Sequence, residues 1–201
     1  MTSYFTLKPT SIPVLIKEKG SKFIAYAFHV SNENEVKNAL QVLKKEHLQS
    51  THICYAFQIG KNNPIYRMND DGEPNYSAGL PIYQQIQGAK ITNVLIAVVR
   101  YYGGTKLGVG GLISAYKKAA KECIETSEII ERDITIILKI VCEYSQLGYI
   151  NKLLHTTNHT IISQNQLDKC NFMIEFPISK TEKIMNDLKE KSIYCEKEMI
   201  G

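Results

Sequence analysis

One stretch restricts the fold more than any other: Asn93 to Glu122, NVLIAVVRYYGGTKLGVGGLISAYKKAAKE. It opens with an apolar, β-branched run, Val94 to Val99, bounded by Asn93 and Arg100. Such a run predicts a buried strand. Five glycines then fall within nine residues, at Gly103, Gly104, Gly108, Gly110 and Gly111. From Leu112 the period becomes helical, with Leu112, Ala115, Tyr116, Ala119, Ala120 and Cys123 on one face and Lys117, Lys118 and Lys121 off it. Strand, glycine-rich loop and helix start together favour anions. Glycine allows close backbone approach, and the first free amides of a helix point at negative charge. Arg100, Lys106 and Lys117 add cationic side chains, so these residues and the five glycines form a candidate anion or nucleic-acid site. The plainer reading is a tight turn that lets the helix pack on the sheet. No Gly-Lys-Ser/Thr follows a GxxxxG spacing, which argues against a Walker-type ATPase.

The rest of the chain reads as α+β. Strands are expected over 4–7, 12–16, 22–30 and 51–59, with a helix capped by Ser31 running to about Glu46. Residues 60–81 show no period and read as a long polar loop, followed by a short helix from Pro81. Ser127 to Asp133 reads as a charged connector. Beyond it the order β-α-β-β-α-β is that of a ferredoxin-like, split βαβ unit. Two domains are therefore expected, 1–126 and 134–201.

Net charge is +4, but unevenly placed. Residues 1–124 carry 15 Lys/Arg and 8 Asp/Glu, giving +7, whereas 125–201 carry 9 and 12, giving −3. A basic first part suits a polyanionic partner. The five cysteines are widely spaced with no CxxC, which fits reduced thiols and a cytoplasmic chain rather than disulfides or zinc. No apolar run approaches the ~20 residues of a membrane span. The first residues lack a signal-peptide pattern.

Two further constellations carry chemistry. Asp70, Asp71 and Glu73 could hold Mg²⁺ through a few oxygens, or form a solvated Asp-Gly turn. His52 and Cys54, two apart on a strand, share a face and could form a catalytic pair; packed core is the plainer reading. Ser77 sits outside any GxSxG elbow.

Four pieces of the chain, in order, resemble the YigZ/Impact family: Lys19 to Ile24 (KGSKFI), Thr51 to Ala56 (THICYA), Asp71 to Pro74 with Ser77 to Ile82, and Asn93 through Tyr116. The resemblance implies an N-terminal α/β domain like domain two of a small-subunit ribosomal protein. It also implies a C-terminal domain like the late domains of elongation factor G. The eukaryotic members regulate translation by competing for the activator of a kinase that phosphorylates an initiation factor. A translation-associated, non-enzymatic role contacting nucleic acid or the ribosome is the expectation this carries. No catalytic residue transfers. Alternatives are an enzyme or sensor that binds a phosphorylated small molecule through the glycine-rich loop, and a module that docks a protein partner. This chain departs from the family at Asn75-Tyr76, where Ser-Gly is usual, and at Ser114, where Arg is frequent.

Overall fold

The computed structural model describes residues 2–9, 12–61 and 63–198; the terminal residues of the expected domains, Met1 and 199–201, lie outside that range. Two compact units emerge, one over Tyr4–Arg132 and one over residues 133–198 joined by 2–3. The architecture is α+β, with separate sheets and helices in each unit.

The first unit is built on β6 (Val94–Tyr101). Residues Val94 to Val99 are all fully buried, each large apolar side chain contributing about 1.5–3 kcal/mol. Alternation sends Val94, Ile96 and Val98 to one face and Leu95, Ala97 and Val99 to the other. β6 is the centre of an antiparallel five-stranded sheet. The others are β2 (Val14–Glu18), β3 (Ser21–His29), β4 (His52–Ile59) and β5 (Ile65–Asn69), in the order β2-β3-β6-β4-β5. Helices α2 (Gly79–Ala89) and α3 (Gly108–Glu125) cover the first face. Helix α1 (Glu33–Glu46) covers part of the second through Val36, Leu40 and Leu43. A ribbon pairs β1 (Ser3–Leu7) with β7 (Ile129–Asp133), all but Ser3 and Asp133 belonging to this unit.

Several expectations shift. The cap of α1 is Asn32, not Ser31: its side chain accepts from the Glu35 amide (3.0 Å), while the Glu35 carboxylate accepts from Ser31 N (2.7 Å). Part of the loop 60–81 is ordered as β5, and α2 starts two residues before Pro81. The connector 127–133 contains β7, which pairs with β1. α3 starts at Gly108, so three of the five glycines lie in its first turn.

In the second unit β8 (Thr135–Cys142), α4 (Leu147–Thr156), β9 (Thr160–Gln166), β10 (Cys170–Pro177), α5 (Ile178–Glu190) and β11 (Tyr194–Lys197) follow in sequence. The antiparallel sheet order is β11-β8-β10-β9. Its core joins Leu138, Ile140, Phe172, Ile174 and Phe176 to Ile150, Ile184 and Leu188 from the helices.

Candidate functional site

The segment after β6 begins with a backbone crossing. A Cβ on Gly103 would lie 1.9 Å from the carbonyl carbon of Gly20, so only glycine fits. Gly20 itself has φ +82°, and Gly103 N donates to the Ser21 hydroxyl (3.2 Å). This lashes the β2–β3 turn to the end of β6. Beyond it the chain opens: apart from their chain neighbours and the helix's own backbone, Gly104, Gly108 and Gly110 have no heavy atom within 4 Å of where a Cβ would stand. No side chain caps the start of α3, and its first turn holds no acid. The first-turn amides lack intrahelical acceptors, and the helix dipole adds positive potential there. Lys106 and Lys117 are exposed, and neither has a carboxylate within 4 Å among the described residues. Lys118 and Lys121 differ, pairing with Glu122 (3.9 Å) and Glu125 (3.6 Å) along the helix.

Arg100 does not join this surface. The alternation of β6 turns it onto the α2/α3 side, where it is 5% exposed. Its Nη1 donates to Glu73 Oε1 at 2.6 Å, and the Tyr116 hydroxyl donates to the same oxygen at 2.8 Å. The guanidinium carbon lies 5.4 Å from the Phe23 ring centroid and 5.6 Å from that of Tyr102. Glu73 thus balances the Arg100 charge internally, and Arg100 is not available to a phosphate. Its Nε is buried with no hydrogen-bond partner.

The acidic triplet is dispersed by the same loop. Asp70 accepts from the amides of Tyr76 (2.9 Å), Ala78 (2.9 Å) and Gly79 (2.8 Å), which fixes the start of α2. Asp71 accepts from Ile53 N at 2.7 Å, tying the loop to β4. Glu73 turns inward to Arg100. With each carboxylate held by a different partner, the three do not converge on a Mg²⁺ position, and no metal-holding group of three His, Cys, Asp or Glu occurs among the described residues.

His52 and Cys54 do face the same loop. His52 Nδ1 lies 2.6 Å from the Asp71 carbonyl, an acceptor, so Nδ1 carries the proton; Nε2 is 4.0 Å from Glu73 Oε1. Cys54 is fully buried, its sulfur 3.0 Å from the Asp70 carbonyl and 3.3 Å from the Tyr116 hydroxyl. Burial pushes the Cys54 thiol well above the ordinary range. A nucleophilic cysteine needs the opposite shift. His52, Cys54, Asp70, Asp71, Glu73 and Arg100 therefore form one network that holds the 70–79 loop against the sheet. Its centre, Tyr116, reads in the sequence only as part of an apolar helix face; nothing in the 3.6-residue period distinguishes it from core.

The comparison with known proteins follows the same segments. Residues 19–124 match the model of the Impact N-terminal domain. The chain belongs to the IMPACT family. It is 39% identical over 148 residues to the IMPACT family member YvyE of Bacillus subtilis, covering 74% of this chain and 68% of that one. An IMPACT family member of Haemophilus influenzae is 31% identical over 192 residues, covering 92% of each chain. A crystal structure described as that of a hypothetical protein superposes with a TM-score of 0.80 at 26% identity, over 100% of both chains. No helix among the described residues is long and apolar enough to cross a membrane.

Two consequences are measurable in this IMPACT protein. Tyr76 has φ +62° and is 67% exposed. A left-handed conformation costs a non-glycine residue about 1–2 kcal/mol, and an exposed ring recovers little of that. Tyr76→Gly should raise stability by up to about 1 kcal/mol in urea unfolding, after allowance for glycine's extra unfolded-state entropy. The second concerns alkaline pH. Burial raises Cys54 and Tyr116, and takes Cys123 to about 12 and Cys142 to about 11. These groups stay protonated when folded, whereas the unfolded chain releases thiol protons from about pH 8.5. Their contribution is complete below that value and is lost as pH rises toward the folded values. The urea midpoint should therefore fall as pH rises from about 9 to about 12; a flat midpoint would contradict the burial.

Proposed function

We propose that this chain is a non-enzymatic, cytoplasmic, translation-associated protein that contacts nucleic acid or ribosomal components through the start of α3. One observation carries the reading: an uncapped helix start, open at Gly104, Gly108 and Gly110, next in sequence to the unpaired cation Lys106, with the unpaired Lys117 about two and a half turns further along the same helix. Gly103 and Gly111 set the path of the segment; Arg100 buttresses it from within and is not a ligand-binding group. The surplus of +7 over residues 1–124 favours the same kind of partner. The family's translation theme gives the reading its cellular setting. The likeness of the two units to ribosomal-protein and elongation-factor domains, and the division into domains 1–126 and 134–201, belong to this proposal.

The enzymatic alternative draws no support from His52 and Cys54, whose thiol is buried and protonated. Co-sedimentation with ribosomes and with isolated ribosomal RNA tests the reading, comparing the native chain with Lys106→Gln/Lys117→Gln. Both lysines are exposed, so the variant should fold normally and lose most of the sedimented fraction. Equal sedimentation of native and variant chains overturns the assignment to this face.

A further inference from the structure

A second surface of the first unit has its own chemistry. Lys17 on β2 and Lys22 on β3 are direct cross-strand partners, and both are exposed. Like charges set directly opposite each other weaken a sheet. Neither lysine has a carboxylate within 4 Å among the described residues. On the next strand Lys22 is opposite Tyr101. Beside this row runs an open groove of about 350 Å³ lined by Gly20, Lys22, Ile24, Tyr101 and Tyr102, with no acidic residue among them. It lies on the α1 side of the sheet, toward its β2 edge, where Leu15, opposite Ile24, is 49% exposed. Tyr102 is 46% exposed, with its backbone amide held by Thr51 Oγ1 (3.1 Å) and its ring supported by Arg100 from within the unit.

We propose that this half-open sheet face binds single-stranded RNA, with one base stacked on Tyr102 in the groove and backbone phosphate held between Lys17 and Lys22. The repelling lysine pair asks for an anion. The neighbouring aromatic groove asks for a flat apolar partner. A single strand supplies both from one polymer, because every unpaired base has a π-face and every linkage a charge. A duplex keeps its bases stacked inward and leaves the tyrosine unused. An acidic peptide satisfies the lysines without using the ring. The choice of RNA rests on the translation-associated reading above; the site does not, since it shares no residue with the α3 start.

Fluorescence anisotropy with a short labelled pyrimidine RNA, the same RNA as a duplex, the corresponding DNA strand and a polyglutamate peptide decides the matter. The single-stranded RNA should bind tightest. Tyr102→Ala should weaken it about 10-fold, within the range of removing one stacked base, and Tyr102→Phe should bind as the native chain does. Lys17→Gln/Lys22→Gln should reduce the salt slope by roughly 0.7 for each phosphate no longer neutralised. Unchanged binding by both the Tyr102→Ala and the lysine variants overturns the inference, as does a preference for duplex, DNA or peptide. If RNA binding is abolished in Lys106→Gln/Lys117→Gln but kept in the sheet-face variants, the function stands and this second site falls. The reverse pattern keeps this site and removes the α3 assignment.

Discussion

Glu73→Ala is expected to destabilise the first unit by about 3–5 kcal/mol, because it strands Arg100 as an uncompensated buried charge. The side chains of the pair are only 4% and 6% exposed, so solvent screening relieves little of that cost. The Tyr116 hydroxyl loses its acceptor at the same time, and an unsatisfied buried polar group adds to the loss. The effect should appear as a lower urea midpoint with an unchanged slope. The double replacement Glu73→Leu/Arg100→Met removes both charges together. It should lose less than Glu73→Ala alone, since the larger part of the single-variant cost is the orphaned partner rather than the missing attraction. A Glu73→Ala chain within about 1 kcal/mol of the native one would mean that the pair is solvated rather than buried.

Gly103→Ala is expected to be at least as damaging. The added methyl would stand 1.9 Å from the Gly20 carbonyl carbon and 2.2 Å from both the Gly20 oxygen and the Ser21 nitrogen. All three atoms are backbone, so no side-chain rotation relieves the overlap, and either the β2–β3 turn or the end of β6 must move. A loss of about 4 kcal/mol or more follows, at the upper end of single substitutions. Gly110→Ala is the control: apart from its chain neighbours and the helix's own backbone, nothing lies within 4 Å of its Cβ position, and alanine is the better helix former by up to about 1 kcal/mol. Circular dichroism melts of the two variants should move in opposite directions. Comparable melts would mean that Gly20 and Gly103 do not approach each other this closely.

Much of the fold is legible in the sequence. β6 and α3 are plain because one is a continuous apolar run and the other keeps a clean 3.6-residue face. β5 is not, since an edge strand with Ile65 and Tyr66 half exposed shows no alternation of apolar and polar residues. The helical period of α3 becomes visible only at Leu112, because Gly108, Gly110 and Gly111 are poor helix formers; the helix tolerates them where packing from Leu112 onward holds it. The side chains of the site are the hardest part. A sequence shows that Asp70, Asp71 and Glu73 are neighbours, but not that a turn with φ +45° at Asp71 and +87° at Gly72 sends them to three different partners. For the same reason Arg100 reads as a phosphate ligand: its partner Glu73 is 27 residues away in sequence. The crossing of Gly20 and Gly103 leaves only two glycines 83 residues apart as its trace.

The salt dependence of RNA binding, measured by anisotropy for the native chain and for Lys106→Gln/Lys117→Gln, bears most directly on nucleic-acid contact at the start of α3. For the native chain, log affinity should fall linearly with log salt. The variant should bind more weakly at low salt and with a shallower slope, by about 0.7–0.9 for each phosphate no longer neutralised. Native binding that is absent at low salt, or that shows the same affinity and slope in the variant, would contradict the assignment of that contact to the start of α3.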